Sequence, residues 1–562
     1  MKRLFALLMA LSLLCTALVG CGTEAASSKQ AEGSSLAGSV AEAVDPAPQP
    51  VEEVAVSAEA EAENPNAGNE YELPLTDELT TFKGWISFSS ENGMSEPNDG
   101  YGYQKLEELS NVHIDWTLAP SANTSEVFNL SVASGDYPDM YYTGGNNADY
   151  YVGGLDKYIE NDVILDLSTL IPEYAPNYHY WRTRDPMVEK MTTTDGGNVP
   201  YFQTISEERQ YSFQGGIIRQ DLLDEYGIVA EDIKTYDDLY EAMVAIKNGA
   251  NKQPLLLANT NGLATFFMVG YGVTDDFYND NGTAVFGPIQ EGFKKYLTTM
   301  HKWYEEGLVD TDFISNSDFF SMMSMLISGD YVVACDMAIN LESYEQSNPE
   351  QTWAAFQAPM EHADDKRVLA YNDISPTTLG GGTVTITTAC ENPELLCRWI
   401  DLGYAKDMSL LYDYGIEDVS YIINAEGEPE WTELIYDNEE MGYRNMRAWY
   451  QIGTNVPHLY DWNMDYTPVT PDKVREAGKL WDANYEEAMT MPTLSMDEDD
   501  ASEYASLMGD INTYLYEYAA KFIIGEYDIE AQWDEYVNLL NETGLPRATE
   551  LEQAALDNFL SR

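Results

Sequence analysis

TFKGWISF, residues 81–88, has the β-favouring composition of a strand buried in a sheet. VHIDWT at 112–117 alternates apolar and polar residues and predicts a second strand, and DMYY at 139–142 predicts a third. Helical spacing between them predicts one helix near Tyr101–Leu109 and another over Glu126–Ser134, which Gly135 ends. Strand and helix alternating in this way are typical of a mainly parallel, doubly wound α/β sheet.

Ligands of such sheets sit beyond the carboxyl ends of the strands. The first strand is followed by Ser89, Glu91 and Asn92, and the third by Gly144, Gly145 and Asn146. The sequence therefore predicts a ligand site that includes these two loops.

Later segments predict further elements and a second lobe. Thr235 and Asp238 have the spacing of a capping box at the start of a helix. Helical patterns also cover about 289–306, 503–524 and 529–540, where aromatic residues recur at the spacing of a core face. Residues 77–562 are too many for one ordinary hydrophobic core, so two lobes are expected.

The N-terminus has the layout of a bacterial secretory signal. Lys2 and Arg3 precede an apolar run, Leu4–Val19, which is too short and too early to be a membrane-spanning helix. The run ends in LVGCG at residues 18–22, which resembles the lipobox of bacterial lipoproteins. We therefore expect residues 1–20 to be removed and Cys21 to carry a lipid anchor on the outer face of the cytoplasmic membrane.

Residues 21–76 are rich in Ala, Glu, Ser and Pro and almost free of aromatics, so they are predicted to be a disordered tether. Over the whole chain, 96 acidic residues outnumber 29 basic ones, for a net charge of −67. Such a field repels nucleic acid phosphates and anionic glycans, and it favours a neutral or cationic ligand.

The remaining cysteines and the histidines predict neither a disulfide framework nor a metal. Cys335, Cys390 and Cys397 are left once the signal and the anchor are set aside, and an odd number gives no framework. The five histidines, at 113, 179, 301, 362 and 458, never take a metal-ligand spacing. We therefore expect no metal and no cofactor.

Several segments resemble the family-1 extracellular solute-binding lipoproteins of carbohydrate ABC transporters. The segments that carry the resemblance occur in the family's order: ASGDYPD (133–139), TDGGNVP (194–200), IRQDLLDEYGI (218–228), WYEEGLVDTDF (303–313), CENPE with RWID (390–394 and 398–401), and YGIEDVSY (414–421). The resemblance covers about residue 80 to the end. The chain is similar in particular to the large lipoproteins of the family, which include the alginate-binding type.

This resemblance implies a periplasmic-binding-protein-like fold. Two doubly wound α/β lobes, joined by two or three crossing segments, close around a solute, and the C-terminal helices are additional. By analogy lobe 1 takes 77–210 and 374–420, and lobe 2 takes 211–373 and 421–562. The alginate-binding relatives hold calcium in a loop of alternating Asp and Asn. This chain has only Glu207 and Glu208 between Asp195 and Gln214, so we expect no metal there.

The resemblance implies a monomeric binding protein that delivers an extracellular solute, most simply a neutral oligosaccharide, to ABC permease subunits. Sugar rings need flat aromatic faces, and their hydroxyls need acids and amides. Strand ends, hinge positions and an aromatic stretch interpreted as a loop (447–462) supply the candidates: Phe88, Glu91, Asn92, Asn146, Tyr201, Gln203, Asp336, Asn340, Tyr371, Trp449, Tyr450 and Trp462. Trp399 has helical apolar neighbours and is assigned to the core.

Two other function classes remain open. A secreted glycan hydrolase needs only two suitably spaced carboxylates, and with 96 acids a chance pair carries no information. The chain contains no Gly-x-Ser-x-Gly elbow, His-Glu-x-x-His motif, P-loop or dinucleotide fingerprint. A sensor that hands its ligand to a membrane receptor would share the fold, so the sequence does not separate it from an importer component.

Overall fold

In the computed structural model, all the described residues belong to one compact unit, Glu63–Arg562. The structure describes residues 71–88, 93–120, 123–143, 150–151, 153–206, 211–250, 252–256, 264–315, 319–338, 340–370, 382–436, 441, 443–453, 457–461, 472–486, 489–492 and 494–562.

The first part of the chain builds a parallel sheet with helices on it, as the alternating pattern predicts. The elements are β1 (Thr80–Ser87), α1 (Tyr101–Ser110), β2 (Val112–Ala119), α2 (Thr124–Ser134), β3 (Met140–Thr143), α3 (Leu155–Glu160), α4 (Ile171–Tyr174), α5 (Pro176–Arg184), α6 (Pro186–Met191), β4 (Phe202–Gln203) and β5 (Ile205–Ser206). β1 lies between β2 and β3 and is parallel to both.

The second part builds another sheet. Its elements are β6 (Gln214–Arg219), α7 (Gln220–Asp224), α8 (Tyr236–Ala250), β7 (Gln253–Leu255), β8 (Phe277–Asp280), β9 (Thr283–Phe286), α9 (Glu291–Glu305), α10 (Phe319–Ser328), β10 (Tyr331–Met337), α11 (Asn340–Ser347) and β11 (Trp353–Phe356). The predicted capping box is confirmed at α8, where the Thr235 backbone N donates to Asp238 Oδ2 at 2.9 Å and the Asp238 backbone N donates to Thr235 Oγ1 at 3.1 Å.

The chain then returns to the first sheet and finally to the second part. The remaining elements are β12 (Thr383–Ile386), α12 (Pro393–Asp401), α13 (Lys406–Asp413), β13 (Tyr421–Ile423), β14 (Pro429–Trp431), α14 (Glu433–Tyr436), α15 (Tyr443–Tyr450), β15 (Leu459–Tyr460), α16 (Asp472–Asp482), α17 (Glu498–Ile523), α18 (Ile529–Thr543) and α19 (Leu545–Ser561). Among the residues that the structure describes, no helix has the length and apolar character to cross a membrane.

Each of the two larger sheets contains an antiparallel strand that the sequence did not reveal. The five-stranded sheet has the order β2-β1-β3-β12-β4, and the four-stranded sheet has the order β11-β6-β10-β7. β12 runs antiparallel to β3 and β4, and β6 runs antiparallel to β10 and β11. Both are the strands by which the chain enters a sheet from the other one. A strand that arrives at the edge where its neighbours end must run in the opposite direction.

Two hydrophobic cores accompany the two larger sheets and define the first and second lobes. The core of the first lobe includes Phe82, Ile114 and Trp399, which is 7% exposed as its assignment to the core requires. The core of the second lobe runs from Ile217 to Leu369 and continues from Val474 to Leu556. The chain therefore passes between lobes three times, between 206 and 214, between 369 and 383, and between 460 and 474.

The position of the third passage contradicts one predicted boundary between the lobes. The family resemblance implies that 421–562 belong to the second lobe. In the structure β15 pairs with β5 of the first lobe, and Tyr421, Trp431 and Tyr460 pack in a small core with Tyr414. The described residues of 421–460 therefore lie with the first lobe, because the chain leaves that lobe only after β15.

Candidate functional site

Polar residues of the first lobe meet at one edge of its sheet. Thr143 ends β3, and it lies opposite Thr383, the first residue of β12. Gln203, the last residue of β4, lies on the other side of Thr383. The Thr143 and Thr383 hydroxyl oxygens are 2.8 Å apart. All three side chains therefore belong to the carboxyl edge of the parallel strands, where ligands bind in sheets of this kind.

The matching edge of the second lobe faces the same passages of the chain. Gln214 begins β6 and pairs with Met337, the last residue of β10. The first passage joins β5, just after β4, to Gln214, and the second leads into Thr383. Because β5 ends at Ser206 in the first lobe and β6 begins at Gln214 in the second, the two carboxyl edges lie on either side of the lobe boundary. A solute held between the lobes would contact both edges.

An aromatic cluster lies at this edge of the first lobe. Tyr101, Trp449 and Tyr450 form it, with ring centroids 5.6 Å apart for Tyr101 and Trp449 and 4.8 Å apart for Tyr101 and Tyr450. Tyr101 is 42% exposed. It begins α1, and in a strand–helix unit the helix begins on the side where the strand ends. We call these three residues the aromatic platform.

The interpretation of Trp449 and Tyr450 as loop residues is wrong, since both belong to α15. Met446 and Tyr450 are four residues apart and therefore share one face of α15. Both pack against the small core, and Tyr450 also packs on Tyr101. Tyr101 was assigned only to a helix, and nothing in the sequence marks it as the partner of residues 348 positions later.

Asp336 and Asn340 lie at the second lobe's edge but are bound to each other. Asp336 belongs to β10 and is the residue before its last one, Met337. Its carboxylate accepts hydrogen bonds from Asn340 Nδ2 at 2.9 Å and from the Tyr344 hydroxyl. Burial raises the pKa of Asp336. In this structure the pair joins β10 to α11, and ligand contact by either residue stays a prediction.

Of the remaining candidate ligand-binding residues, some lie in the described parts of the structure and the others do not. Tyr201 is buried and its hydroxyl donates to the Met191 carbonyl at 3.2 Å, while the Gln203 carbonyl accepts from the Tyr404 hydroxyl at 2.6 Å. Phe88 is half-buried against the first core. Glu91, Asn92, Asn146, Tyr371, Trp462 and the lipidation residue Cys21 lie outside the described residues.

The passages are anchored in the second lobe by buried polar side chains that the sequence analysis missed. Asp482, at the end of α16, accepts hydrogen bonds from the Ser212 backbone N at 2.8 Å and the Ser212 hydroxyl at 2.7 Å. Arg367 Nη2 donates to the same carboxylate at 3.1 Å, and the Arg367 side chain is only 1% exposed. Residues beside all three passages thus meet at one carboxylate, which we call the hinge anchor.

A second buried pair holds the first-lobe end of the third passage. His458 Nε2 lies 2.9 Å from Asp413 Oδ1, and both side chains are inaccessible to solvent. The other Asp413 oxygen accepts from the Asp461 backbone N at 2.9 Å. Burial raises the pKa of Asp413, and the adjacent His458 lowers it. This pair fixes where the chain leaves the first lobe.

Acidic side chains near the segment where the alginate-binding relatives hold calcium have protein partners. Asp156 accepts hydrogen bonds from the Gly196 backbone N at 2.8 Å and Asn198 Nδ2 at 2.7 Å. Asp195 pairs with Arg562 at 3.1 Å. Within the described ranges, no group of three His, Cys, Asp or Glu side chains is placed to hold a metal ion. The expectation of no metal between Asp195 and Gln214 stays a prediction, because 207–210 are not described.

A family model for the bacterial extracellular solute-binding protein matches residues 99–408, which is more than half of the chain. The chain belongs to this family. A fructooligosaccharide ABC transporter substrate-binding protein, FusA of Streptococcus pneumoniae, is 23% identical over 90% of this chain and 96% of its own length. The family assignment confirms the resemblance recognised in the sequence.

Two solved structures share the fold. An extracellular solute-binding protein from Bifidobacterium longum subsp. infantis has a TM-score of 0.69, with 17% identity over 85% of this chain and 98% of that one. The alginate-binding protein AlgQ2 has a TM-score of 0.64, with 20% identity over 86% of this chain and 99% of that one. The predicted periplasmic-binding-protein-like fold is thereby confirmed.

Proposed function

We propose that this protein captures a neutral oligosaccharide outside the cell and delivers it unchanged to an ABC importer. The observation that carries the proposal is the pair of carboxyl edges on either side of the lobe boundary, with the aromatic platform at the edge of the first lobe. The platform offers faces for sugar rings, and Gln203 at the same edge carries an amide of the kind that pairs with hydroxyls. No chemical step is needed, because release follows from lobe opening.

The names of relatives support the ligand class. FusA is named for fructooligosaccharides, and YtcQ of Bacillus subtilis, 23% identical over 58% of this chain and 64% of its own length, for polygalacturonan and rhamnogalacturonan. Between neutral and acidic glycans, the net charge of −67 favours the neutral ones, since an acidic sugar would be repelled at low ionic strength.

We further propose that Cys21 is lipidated and that the protein acts as a monomer at the outer face of the cytoplasmic membrane. The Gly20–Cys21 junction after the apolar run supports the anchor. Metabolic labelling with a radioactive fatty acid should mark the wild-type protein and not a Cys21→Ser variant. A label that persists in the variant would contradict lipidation at this residue.

The ligand class can be tested with the chain lacking residues 1–20 and carrying Cys21→Ser. Thermal melting should be compared in the presence of neutral fructo- and malto-oligosaccharides and of acidic oligogalacturonides. A neutral ligand at 100 times its Kd should add about 2.7 kcal/mol to the free energy of unfolding. Release of new reducing ends would favour the hydrolase alternative, and stabilisation by the acidic sugars alone would contradict a neutral ligand.

The aromatic platform can be tested separately once a sugar is found. Tyr101→Ala should weaken binding several-fold, because an aromatic contact contributes about 0.5–1.5 kcal/mol beyond the buried area. Tyr514 on α17 is a matched control, because it is a tyrosine of similar exposure, 37% against 42%, on the second lobe. If Tyr101→Ala and Tyr514→Ala bind the sugar with equal affinity, the aromatic platform is not part of the ligand site.

A further inference from the structure

Outside the three passages, the lobes also contact each other through the end of α19. This helix belongs to the second lobe, where Leu545, Ala548 and Leu556 are buried in its core. Its last residues reach α6 and the following loop of the first lobe. Lys190 Nζ donates to the Leu560 carbonyl at 3.0 Å, and Arg562 pairs with Asp195 at 3.1 Å.

The Arg562 guanidinium is held by more than its ion pair. It donates to the Thr193 carbonyl and to the Lys190 carbonyl, the latter at 3.3 Å. Asp195 also accepts from the hydroxyl of Ser495, a second-lobe residue, at 2.7 Å. The Arg562 side chain is 15% exposed and that of Asp195 is 26% exposed. Partial exclusion of water makes such a pair stronger than an exposed one without isolating either charge.

An aromatic ring adds to the contact from the second-lobe side. Phe559 is 1% exposed, and the cationic groups of Lys190 and Arg562 lie 5.5 Å and 4.8 Å from its ring centroid. Cations at these distances are attracted to the ring face. Because Lys190 is on the first lobe and Phe559 is on the second, this attraction also acts across the boundary.

The first-lobe side of the contact is rigidly supported. Asp156 accepts from the Thr194 hydroxyl at 2.5 Å, the Gly196 backbone N and Asn198 Nδ2, so the residues on both sides of Asp195 are fixed to α3. A loop without such support could follow the second lobe as it moved. A supported loop cannot follow it, so relative motion of the lobes must break the Arg562–Asp195 pair.

We propose that the Arg562–Asp195 contact is an inter-lobe latch that stabilises this lobe arrangement and so sets how often the protein leaves it. None of its residues belongs to a passage, so rotation about the passages displaces the two sides relative to each other. Ligand affinity depends on the population of the competent arrangement. This consequence for ligand binding rests on the proposed function, whereas the latch itself can be measured without any ligand.

The test measures the inter-lobe distance in the ligand-free, full-length chain with Cys21→Ser. Spin labels at Leu130→Cys on the first lobe and Glu350→Cys on the second use exposed positions. Arg562→Gln should shift the distance distribution away from the wild-type distribution, changing the ratio of the two arrangements by roughly three- to tenfold, as expected for a pair between exposed and buried.

Asp195→Asn alters the opposite lobe and should produce a shift in the same direction. If the two residues act through each other, the double variant should shift no further than the larger single change. The control is Arg547→Gln, an arginine of α19 whose partner Glu503, at 2.8 Å, is in its own lobe. It should leave the distribution unchanged.

Superimposable distributions for wild type and Arg562→Gln, with both proteins folded, would overturn the latch. A shift produced equally by Arg547→Gln would also overturn it, because the effect would then be one of charge in general. A shift with Arg562→Gln in a protein that binds no sugar would uphold the latch and reject the proposed ligand class. The two proposals therefore fail separately.

Discussion

Replacing Asp482 with alanine should destabilise the second lobe more than any surface change on the same helix. The carboxylate accepts two hydrogen bonds from Ser212 and one from Arg367, and its own side chain is 12% exposed. In the variant the Arg367 guanidinium, 1% exposed, would keep the Leu369 and Trp481 carbonyls but lose this carboxylate. A buried charge whose counter-charge is removed cannot recover its hydration.

The expected cost follows from that burial. Removing one member of a buried pair costs about 3–5 kcal/mol. For a lobe of about 250 residues, at roughly 2 °C per kcal/mol, the melting temperature should fall by about 6–10 °C. Asp482→Asn retains an acceptor for Ser212 but no charge, and it should fall between wild type and Asp482→Ala.

Calorimetry of the three proteins, with Glu476→Ala as control, tests the estimate. Glu476 is also on α16, and its pair with Lys479 is exposed at both ends, 65% and 44%. An exposed pair of this kind contributes about 0–1 kcal/mol, so the control should melt within about 2 °C of wild type. If Asp482→Ala has the same melting temperature as Glu476→Ala, the hinge anchor does not stabilise the fold in the way described.

Three further changes test other parts of the fold. Gly215→Ala would place a Cβ 2.6 Å from ring carbons of Trp481, so it should cost about 1–3 kcal/mol and alter the near-ultraviolet dichroism, and an unchanged spectrum would contradict the close packing. Tyr71→Phe removes a hydroxyl that donates to Asp401 at 2.5 Å, and it should lower stability to urea by about 1–3 kcal/mol at pH 7.5. Because burial raises the pKa of Asp401 to about 6, the loss should shrink below pH 5, and a pH-independent loss would contradict a charge-assisted bond. Burial also raises the pKa of Glu552, so the unfolded chain loses this proton first and the wild-type carboxyl becomes destabilising as the pH rises above the ordinary glutamate range. Glu552→Gln should therefore melt higher than wild type at pH 7.5 and at the same temperature at pH 4, and the opposite trend would contradict the direction of the shift.

The parallel part of the fold could be predicted because its signals are local. Alternation in 112–117 and the apolar residues of 81–88 give β2 and β1 within two residues of their ends. The capping box at Thr235 was found for the same reason, since its donors and acceptors are three residues apart. Gly135 ends α2 with a positive φ of 73°, a conformation that favours glycine.

Features that depend on distant residues could not be predicted. The direction of β6 and β12 follows from which lobe the chain has just left, and no residue of either strand encodes it. Residues 421–460 were placed in the wrong lobe because β15 joins β5, more than 250 residues earlier. The partners of Asp482 and Asp195 are equally remote, so the hinge anchor and the latch have no sequence signal.

The anchors and the latch differ in burial, and that difference suits a hinged protein. Breaking the Arg367–Asp482 pair would leave a buried charge without this partner, at several kcal/mol, and breaking the His458–Asp413 hydrogen bond would leave two polar groups that are inaccessible to solvent without it. The Arg562–Asp195 pair is partly exposed, so water can replace either partner when the lobes separate. The passages therefore keep their ends fixed throughout the motion, while the contact away from them can open and close. A solute whose binding free energies to the two lobe arrangements differ by more than this contact supplies would control the lobes, and this is the energetic requirement for a protein that binds and then releases its ligand.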